Sequence, residues 1–273
     1  MLPSDALARA AARLIPADAH GRIDPAELAA TIARDRASGA VPVMVVATAG
    51  TTNAGAIDDL AALGRIADES RAWFHVDAAW GGALLTSDRL RPLLAGIDSA
   101  DSITIDAHKW LATTMGCGMI LVARPAILTQ SFDVRTSFMP SHAPTADPYL
   151  TTLQWSRRFM GLRLFLALGA AGWPGYAEHV ERAVALGRRF AAGLERHGWR
   201  ILNDPALAVI CAQPPEGPAP VRAVVARVLE DGQAWLSAAS FAGQDVVRAC
   251  ITHGRTSEAD IDLVIDILQR ARP

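Results

Sequence analysis

The chain has 273 residues, of which 51% are hydrophobic and 20% are charged, and 28 acidic against 26 basic residues give a net charge of −2. This composition is typical of a globular protein of one or two domains and excludes a disordered chain. The balanced charge gives no electrostatic footprint for nucleic acid, and no stretch of about 18 uncharged apolar residues predicts a membrane span.

Strands and helices alternate in the first half of the chain, which predicts an α/β fold with a mostly parallel sheet. A helix over 23–37 has Asp24 as its N-cap and Pro25 in its first position. A second helix is predicted over 58–70, where apolar residues recur at helical spacing. Continuous apolar runs predict buried strands over 41–48, 72–76, 102–105 and 117–123.

Helices dominate after the fourth predicted strand. Two long helices are predicted over 151–171 and 176–197, and Trp173-Pro174-Gly175 separates them. Short strands and two further amphipathic helices follow to the C-terminus. We therefore predict a partial large domain over 1–171 and a small α+β domain over 172–273.

Polar side chains follow three of the predicted strands, at the point where each strand ends. They are Thr51 and Thr52, then Asp77, then His108 and Lys109. Ligands of open parallel sheets bind outside the carboxyl ends of the strands. Each group alone is explained by an ordinary turn, an N-cap or a surface pair. Their coincidence at three strand ends indicates a ligand site.

The chemistry of that site is indicated by Lys109, the only lysine among the 26 basic residues. A primary amine forms a Schiff base with an aldehyde, which a guanidinium does not do at neutral pH. Pyridoxal phosphate needs such an amine, together with a carboxylate that keeps its ring nitrogen protonated. Asp77 can supply the carboxylate, and the small Ala79 leaves room for a flat ring. The hydroxyls of Thr52 and Ser102 can bond the polar edges of the cofactor.

The three cysteines, Cys117, Cys211 and Cys250, are few, odd in number and far apart in the sequence. This pattern favours a reducing, cytoplasmic compartment over a disulfide framework or a zinc site. The N-terminus carries charged residues and lacks the apolar core of a secretory signal.

Three segments, at 48–52, 75–82 and 106–110, closely resemble the group II pyridoxal-phosphate-dependent amino-acid decarboxylases. The resemblance includes 154–159 and runs through nearly the whole chain. It implies a fold-type-I α/β enzyme with a small C-terminal domain, whose members are homodimers. It also implies a carboxy-lyase that uses pyridoxal 5′-phosphate to release carbon dioxide from an L-amino acid.

The resemblance assigns roles to individual residues. Lys109 becomes the Schiff-base lysine, and Asp77 pairs with the pyridine nitrogen. Five more residues are expected to line the cofactor site: Ala79, Thr52, Ser102, His108 and Asp106. Of these, Ala79 would pack on the ring face and His108 would assist catalysis. Asp106 stands where several members have an asparagine near the phosphate, and a carboxylate there would repel phosphate unless it faced backbone amides.

Two further residues bear on the substrate. Arg248 matches an arginine that glutamate-type members turn toward the substrate carboxylate, and the alternative is an ordinary arginine at a strand edge. Ser156 stands where plant aromatic members vary between glycine and serine. Serine there accompanies phenolic substrates, which favours an aromatic amino acid.

The chain departs from the family at Phe138. The segment 131–140 aligns with the family's catalytic loop, which usually carries a tyrosine that protonates the substrate carbon after carbon dioxide leaves. Phenylalanine has no proton to donate. In some plant relatives phenylalanine at this place goes with oxidative deamination, so an aldehyde synthase is the alternative function.

The second departure is at the N-terminus. Family members have a substantial stretch before the point that matches Met1. That stretch supplies a histidine that stacks on the cofactor ring, a small pair that holds the phosphate, and most of the substrate pocket. We therefore expect a C-terminal portion of a longer protein, with a catalytically incompetent fragment or interaction protein as the third alternative.

Overall fold

The structure is a computed structural model that describes residues 11–132, 148–203 and 207–273. Helices and strands alternate in the first part of the chain, as the sequence predicts. The described helices are α1 (Pro25–Ala37), α2 (Leu60–Glu69), α3 (Ala126–Phe132), α4 (Gly161–Arg196), α5 (Val221–Asp231) and α6 (Glu258–Arg270). The described strands are β1 (Met44–Thr48), β2 (Trp73–Asp77), β3 (Ser102–Asp106), β4 (Gly118–Val122), β5 (Arg200–Ile201), β6 (Val209–Gln213), β7 (Ser237–Phe241) and β8 (Gln244–Cys250).

The first sheet has the strand order β1-β2-β3-β4. Strands β1, β2 and β3 are parallel, and β4 pairs antiparallel with β3. The predicted α/β fold is therefore confirmed. The first strand begins at Met44, later than predicted, because Val41 and Val43 belong to the apolar run but are 80% and 75% exposed.

One face of this sheet is buried and the other is open. Val45, Ala47, Phe74 and Val76 point into the hydrophobic core. The alternate residues of β1, including Met44 and Val46, are exposed. Because side chains alternate between faces along a strand, the register places His75 and Asp77 on the open face together with Ser102, Thr104 and Asp106.

Asp58 ties the end of β1 to the segment before α1. Its carboxylate is buried and accepts the backbone N–H groups of Ile23 and Thr48, each at 2.7 Å. Burial raises the pKa of Asp58, and the two backbone bonds oppose that rise. Thr48 is the last residue of β1, so this carboxylate fixes the point where the first polar loop leaves the sheet.

The two long helices predicted over 151–171 and 176–197 correspond to two helical stretches of α4, which begins at Gly161 and is interrupted at Gly172. The prediction was wrong for the first ten residues. There the Thr152 hydroxyl bonds the carbonyl oxygens of Pro148 and Gln154, and such local bonds compete with a helix. Within α4, Gly172 has a non-helical backbone with φ of 65°, two residues before Pro174.

The second sheet is antiparallel and has the strand order β5-β6-β8-β7. The C-terminal half of α4 packs its apolar side chains, among them Val180, Val184 and Phe190, into the core. Helices α5 and α6 bury one face each beside this sheet. The two sheets and the break at Gly172 agree with a boundary after residue 171, which stays a prediction. In the described ranges no helix has the length and apolar character needed to cross a membrane.

Candidate active site

The carboxyl ends of β1, β2 and β3 lie side by side. Thr48 pairs with Asp77 in the parallel register, and Asp77 pairs with Thr104, two residues before Asp106. Strand pairing alone therefore brings the Asp77 and Asp106 side chains to the same end of the open face. The sequence analysis predicts that polar residues at the ends of neighbouring strands lie close together, and Asp77 and Asp106 do so.

Lys109 lies in the turn that follows β3. Its backbone N–H donates to the Asp106 carbonyl oxygen at 3.0 Å, and its Nζ lies 2.9 Å from Asp106 Oδ2. The lysine side chain is 38% exposed and the aspartate side chain 20%. The amine is therefore accessible from solvent and held by a carboxylate of its own turn.

Ala79 connects the two carboxylates. Its N–H donates to Asp77 Oδ1 at 3.0 Å, and its carbonyl oxygen accepts the N–H of Asp106 at 3.1 Å. Asp77, Ala79 and Asp106 are all half-buried. The backbone of Ala79 thus links the segments that carry two carboxylates, and one of these pairs with an amine. A carboxylate, an amine and a small residue match the needs of pyridoxal phosphate.

A pair of stacked tryptophans supports both strand ends. The rings of Trp80 and Trp110 lie 5.1 Å apart between centroids, with an interplanar angle of 18°. Trp80 is three residues after Asp77, and the fully buried Trp110 directly follows Lys109. The stack therefore limits how far the two chemically important residues can move relative to each other.

Helix α4 holds the segment after Lys109 from the other side. Tyr176 Oη donates to the Leu111 carbonyl oxygen at 3.1 Å, and His179 Nε2 donates to the Trp110 carbonyl oxygen at 3.0 Å. Sequence reasoning missed these two residues. They are separated from their partners by 65 and 69 positions, and no local pattern in the sequence marks them.

His108 is placed beside Lys109 but bonds in another direction. Its Nδ1 lies 3.2 Å from the Cys117 carbonyl oxygen, to which its backbone N–H also donates. A carbonyl oxygen only accepts, so Nδ1 carries the proton in this contact. The ring is thereby oriented with Nε2 left for other partners.

Arg248 reaches the loop after β1 from the second sheet. Its Nη2 and Nε donate to the Thr52 carbonyl oxygen at 2.7 and 3.0 Å, and Nε also donates to that of Asn53. Arg248 lies on β8, an inner strand of the second sheet, and its role toward a substrate stays a prediction. Cys211 donates from Sγ to the same Asn53 carbonyl, and burial raises the pKa of Cys211 to about 11. That thiol stays protonated at neutral pH and is a poor nucleophile.

Ser102 does not join the site, contrary to the sequence prediction. It begins β3, about 13 Å from Asp106 at roughly 3.3 Å per residue. Its Oγ accepts the Trp73 Nε1–H at 2.7 Å and lies 2.8 Å from His75 Nδ1. On its other side the His75 ring lies 3.3 Å from Thr104 Oγ1. The Ser102 hydroxyl is therefore part of a hydrogen-bonded row of side chains, Trp73, Ser102, His75 and Thr104, along the sheet.

Of the two residues predicted to select substrate and product, the structure describes Ser156. Ser156 lines an open groove of about 900 Å³ together with Arg157, Arg158 and Gly118. Gly118 pairs with Asp106, so the groove begins beside the Lys109–Asp106 pair. Phe138 lies outside the described residues.

The chain is similar in sequence to proteins described as pyridoxal-dependent. A sequence model described as "Pyridoxal-dependent decarboxylase conserved domain" matches residues 5–213. Cysteine sulfinic acid decarboxylase of Mus musculus is 35% identical over 205 residues, which are 73% of this chain and 42% of that protein. The 4-hydroxyphenylacetaldehyde synthase of Rhodiola rosea is 28% identical over 91% of this chain and 52% of its own length.

A solved structure, Oryza sativa TDC with PLP and tryptamine, is similar with a TM-score of 0.90 at 26% identity. The similarity covers 95% of this chain and 56% of that one. The fold-type-I architecture is thereby confirmed. The chain spans about half the length of the curated relatives that it matches.

We predict that Ser102→Ala lowers the free energy of unfolding by about 1–3 kcal/mol, because Trp73 Nε1 and His75 Nδ1 lose their partner. Pyridoxal phosphate attachment at Lys109 should be unchanged. Urea unfolding and absorbance titration with the cofactor measure the two effects. Ser99→Ala, which removes only an exposed bond to Gly96, is the control. Weakened cofactor attachment with unchanged stability would instead make Ser102 a cofactor ligand.

Proposed function

Because the chain belongs to the pyridoxal-dependent decarboxylase family, we propose that it works as a carboxy-lyase that releases carbon dioxide from an L-amino acid and yields the amine. The observation that carries this proposal is the arrangement at the strand ends. An accessible amine, Lys109, follows the strand next to the one that ends in the Asp77 carboxylate, and the backbone of Ala79 bonds both Asp77 and Asp106.

The cofactor of this family is pyridoxal 5′-phosphate, and the residues described above fit it. When bound, it supplies a protonated ring that takes up the electrons of the bond that breaks. Lys109 is the residue for covalent attachment, since the chain has no other lysine. Asp77 is the residue for the ring nitrogen, because a nearby carboxylate favours the protonated form. Ala79 has a small side chain, which leaves room for the ring.

The remaining site residues orient these groups. The Trp80–Trp110 stack keeps the Lys109 turn against the β2 end. His108, with Nδ1 fixed on a carbonyl, presents Nε2 for proton transfer at the substrate, which is the catalytic role we propose for it. Arg248 donates to the Thr52 carbonyl oxygen and so holds the loop after β1. Its guanidinium has further N–H groups, which we propose for a substrate carboxylate.

For the substrate we propose an aromatic L-amino acid. Ser156, in the groove that begins beside the Lys109–Asp106 pair, supports a phenolic side chain. The similarity to a protein named for 4-hydroxyphenylacetaldehyde agrees with this choice, whereas the similarity to a cysteine sulfinic acid decarboxylase favours an acidic substrate.

We propose that the working enzyme is a cytoplasmic homodimer. Large apolar side chains along the start of α4 are exposed, among them Phe165, Leu166 and Trp173. Exposed apolar patches of this kind are typical of protein–protein contacts. A second copy of the chain is the partner that we propose for them.

The first test of this function is Asp77→Asn. The cofactor should still attach at Lys109, but carbon dioxide release from L-tyrosine should fall about tenfold for each pKa unit that the ring nitrogen loses. Release is measured with the parent, with Asp77→Asn and with the exposed Asp98→Asn as the control of equal charge.

Release from Asp77→Asn at the parental rate would contradict the assigned role of Asp77. Faster release by the parent from L-cysteine sulfinate than from L-tyrosine would overturn the aromatic substrate. A parent chain that carries the cofactor but releases carbon dioxide from no L-amino acid would support the third alternative, a catalytically incompetent fragment.

The aldehyde synthase is the second candidate, and Phe138 is the observation that favours it. Without a phenol at this position, the carbon that loses carbon dioxide has no tyrosine to protonate it. Reaction with one oxygen molecule and one water would then give an aldehyde, ammonia and hydrogen peroxide, with oxygen as the two-electron oxidant.

This candidate predicts that the parent yields more aldehyde than amine and that Phe138→Tyr shifts the products toward amine. The phenol, with an ordinary pKa of about 10, restores a proton donor. Chromatography of both products, together with a peroxide assay, measures the ratio. Phe132→Tyr, at the end of α3, is the control. Amine formed in equal amount to carbon dioxide, with no change in Phe138→Tyr, would rule the aldehyde synthase out.

A further inference from the structure

The main chain of Asp106 is bonded on both sides, and its carboxylate lies against Gly118. Its backbone N–H bonds the Ala79 carbonyl oxygen, and its own carbonyl oxygen accepts the Lys109 N–H. On the antiparallel partner strand Gly118 faces it, and a Cβ atom at that position would lie 3.0 Å from Asp106 Oδ1. The glycine therefore leaves the space that the carboxylate occupies.

Within the described part of the chain, Lys109 is the one ionic partner of Asp106. The neighbouring charged or titratable groups bond other partners. His108 Nδ1 bonds Cys117, Arg248 bonds the carbonyls of Thr52 and Asn53, and Arg163 donates to the Thr114 hydroxyl. Asp77, on the adjacent strand, accepts from Ala79.

This arrangement differs from the place near a phosphate group that the family resemblance implies for position 106. A carboxylate beside a phosphate is repelled, whereas a carboxylate 2.9 Å from an ammonium is neutralised by it. Among the described residues no backbone N–H donates to the carboxylate of Asp106, so the Lys109 amine compensates its charge.

We propose that Asp106 is a positioning residue for the Lys109 amine. It is the counter-ion that holds the amine in an ion pair at the carboxyl end of the open sheet face, and the paired amine is less free to approach an aldehyde. The inference deepens the proposed function and rests on it for its biological meaning. The ion pair itself is a property of the chain without cofactor.

The sole lysine makes a direct test possible. The cofactor-free chain is treated with formaldehyde and cyanoborohydride, and peptide mass spectrometry follows methylation of Lys109. The α-amino group, the other primary amine of the chain, is the internal reference. Asp106→Asn keeps the shape of the side chain and removes its charge. We expect the Lys109 rate, relative to the α-amino group, to rise about two- to fivefold, the range for a partly exposed ion pair.

Two controls separate this role from a merely structural one. Asp98→Asn, an exposed change of equal charge, should leave the ratio unchanged. High salt screens partly exposed ion pairs. It should therefore raise the methylation rate of Lys109 relative to the α-amino group in the unaltered chain, and bring that relative rate closer to the one of Asp106→Asn. The salt measurement needs no substitution and holds even if the variant folds poorly.

An unchanged or lower ratio in folded Asp106→Asn overturns the inference, as does a ratio that salt leaves unaltered in the parent. If Asp106 only closes the turn after β3, the variant will melt at a lower temperature with no change in the ratio. None of these readouts needs pyridoxal phosphate, so the inference can fail while the proposed function stands. Failure of the parent to bind the cofactor would overturn the proposed function and leave the ratio as predicted.

Discussion

The parallel pairing of β1, β2 and β3 is the constraint on which the rest of the site depends. Parallel strands end at the same edge of a sheet, so residues about 30 positions apart in the chain become neighbours without any specific side-chain contact. Asp77 and Asp106 lie at that edge for this reason. The turn after β3 then adds Lys109, whose amine takes Asp106 as its partner.

The second half of the chain completes the geometry by bonding backbone carbonyls of the first half. Arg248 grips the loop after β1, while Tyr176 and His179 hold the segment after Lys109. Trp80 donates from Nε1 to the Leu207 carbonyl oxygen and stacks on Trp110. Loops at strand ends have unpaired carbonyl groups, and these bonds satisfy them while limiting the motion of the loops.

Local sequence patterns predicted the strands whose carboxyl ends form the site. Apolar runs followed by Asp77 or by Lys109 mark where strands end, and that is sufficient to bring the two residues together. Ser102 was misplaced because membership of a predicted strand does not say at which end a residue acts. The start of α4 was misjudged because the local bonds of Thr152 are invisible in apolar periodicity. Tyr176 and His179 could not be predicted, since their partners depend on tertiary packing.

The central claim is that Lys109 is the attachment point for pyridoxal phosphate, and adduct mapping tests it most directly. The chain is incubated with the cofactor, reduced with borohydride and digested, and the peptides are analysed by mass spectrometry beside a Lys109→Arg variant. Our account predicts a pyridoxyl adduct on Lys109 in the parent and its loss in the variant, which retains the positive charge. An adduct confined to the α-amino group, or equal labelling of parent and variant, would contradict it.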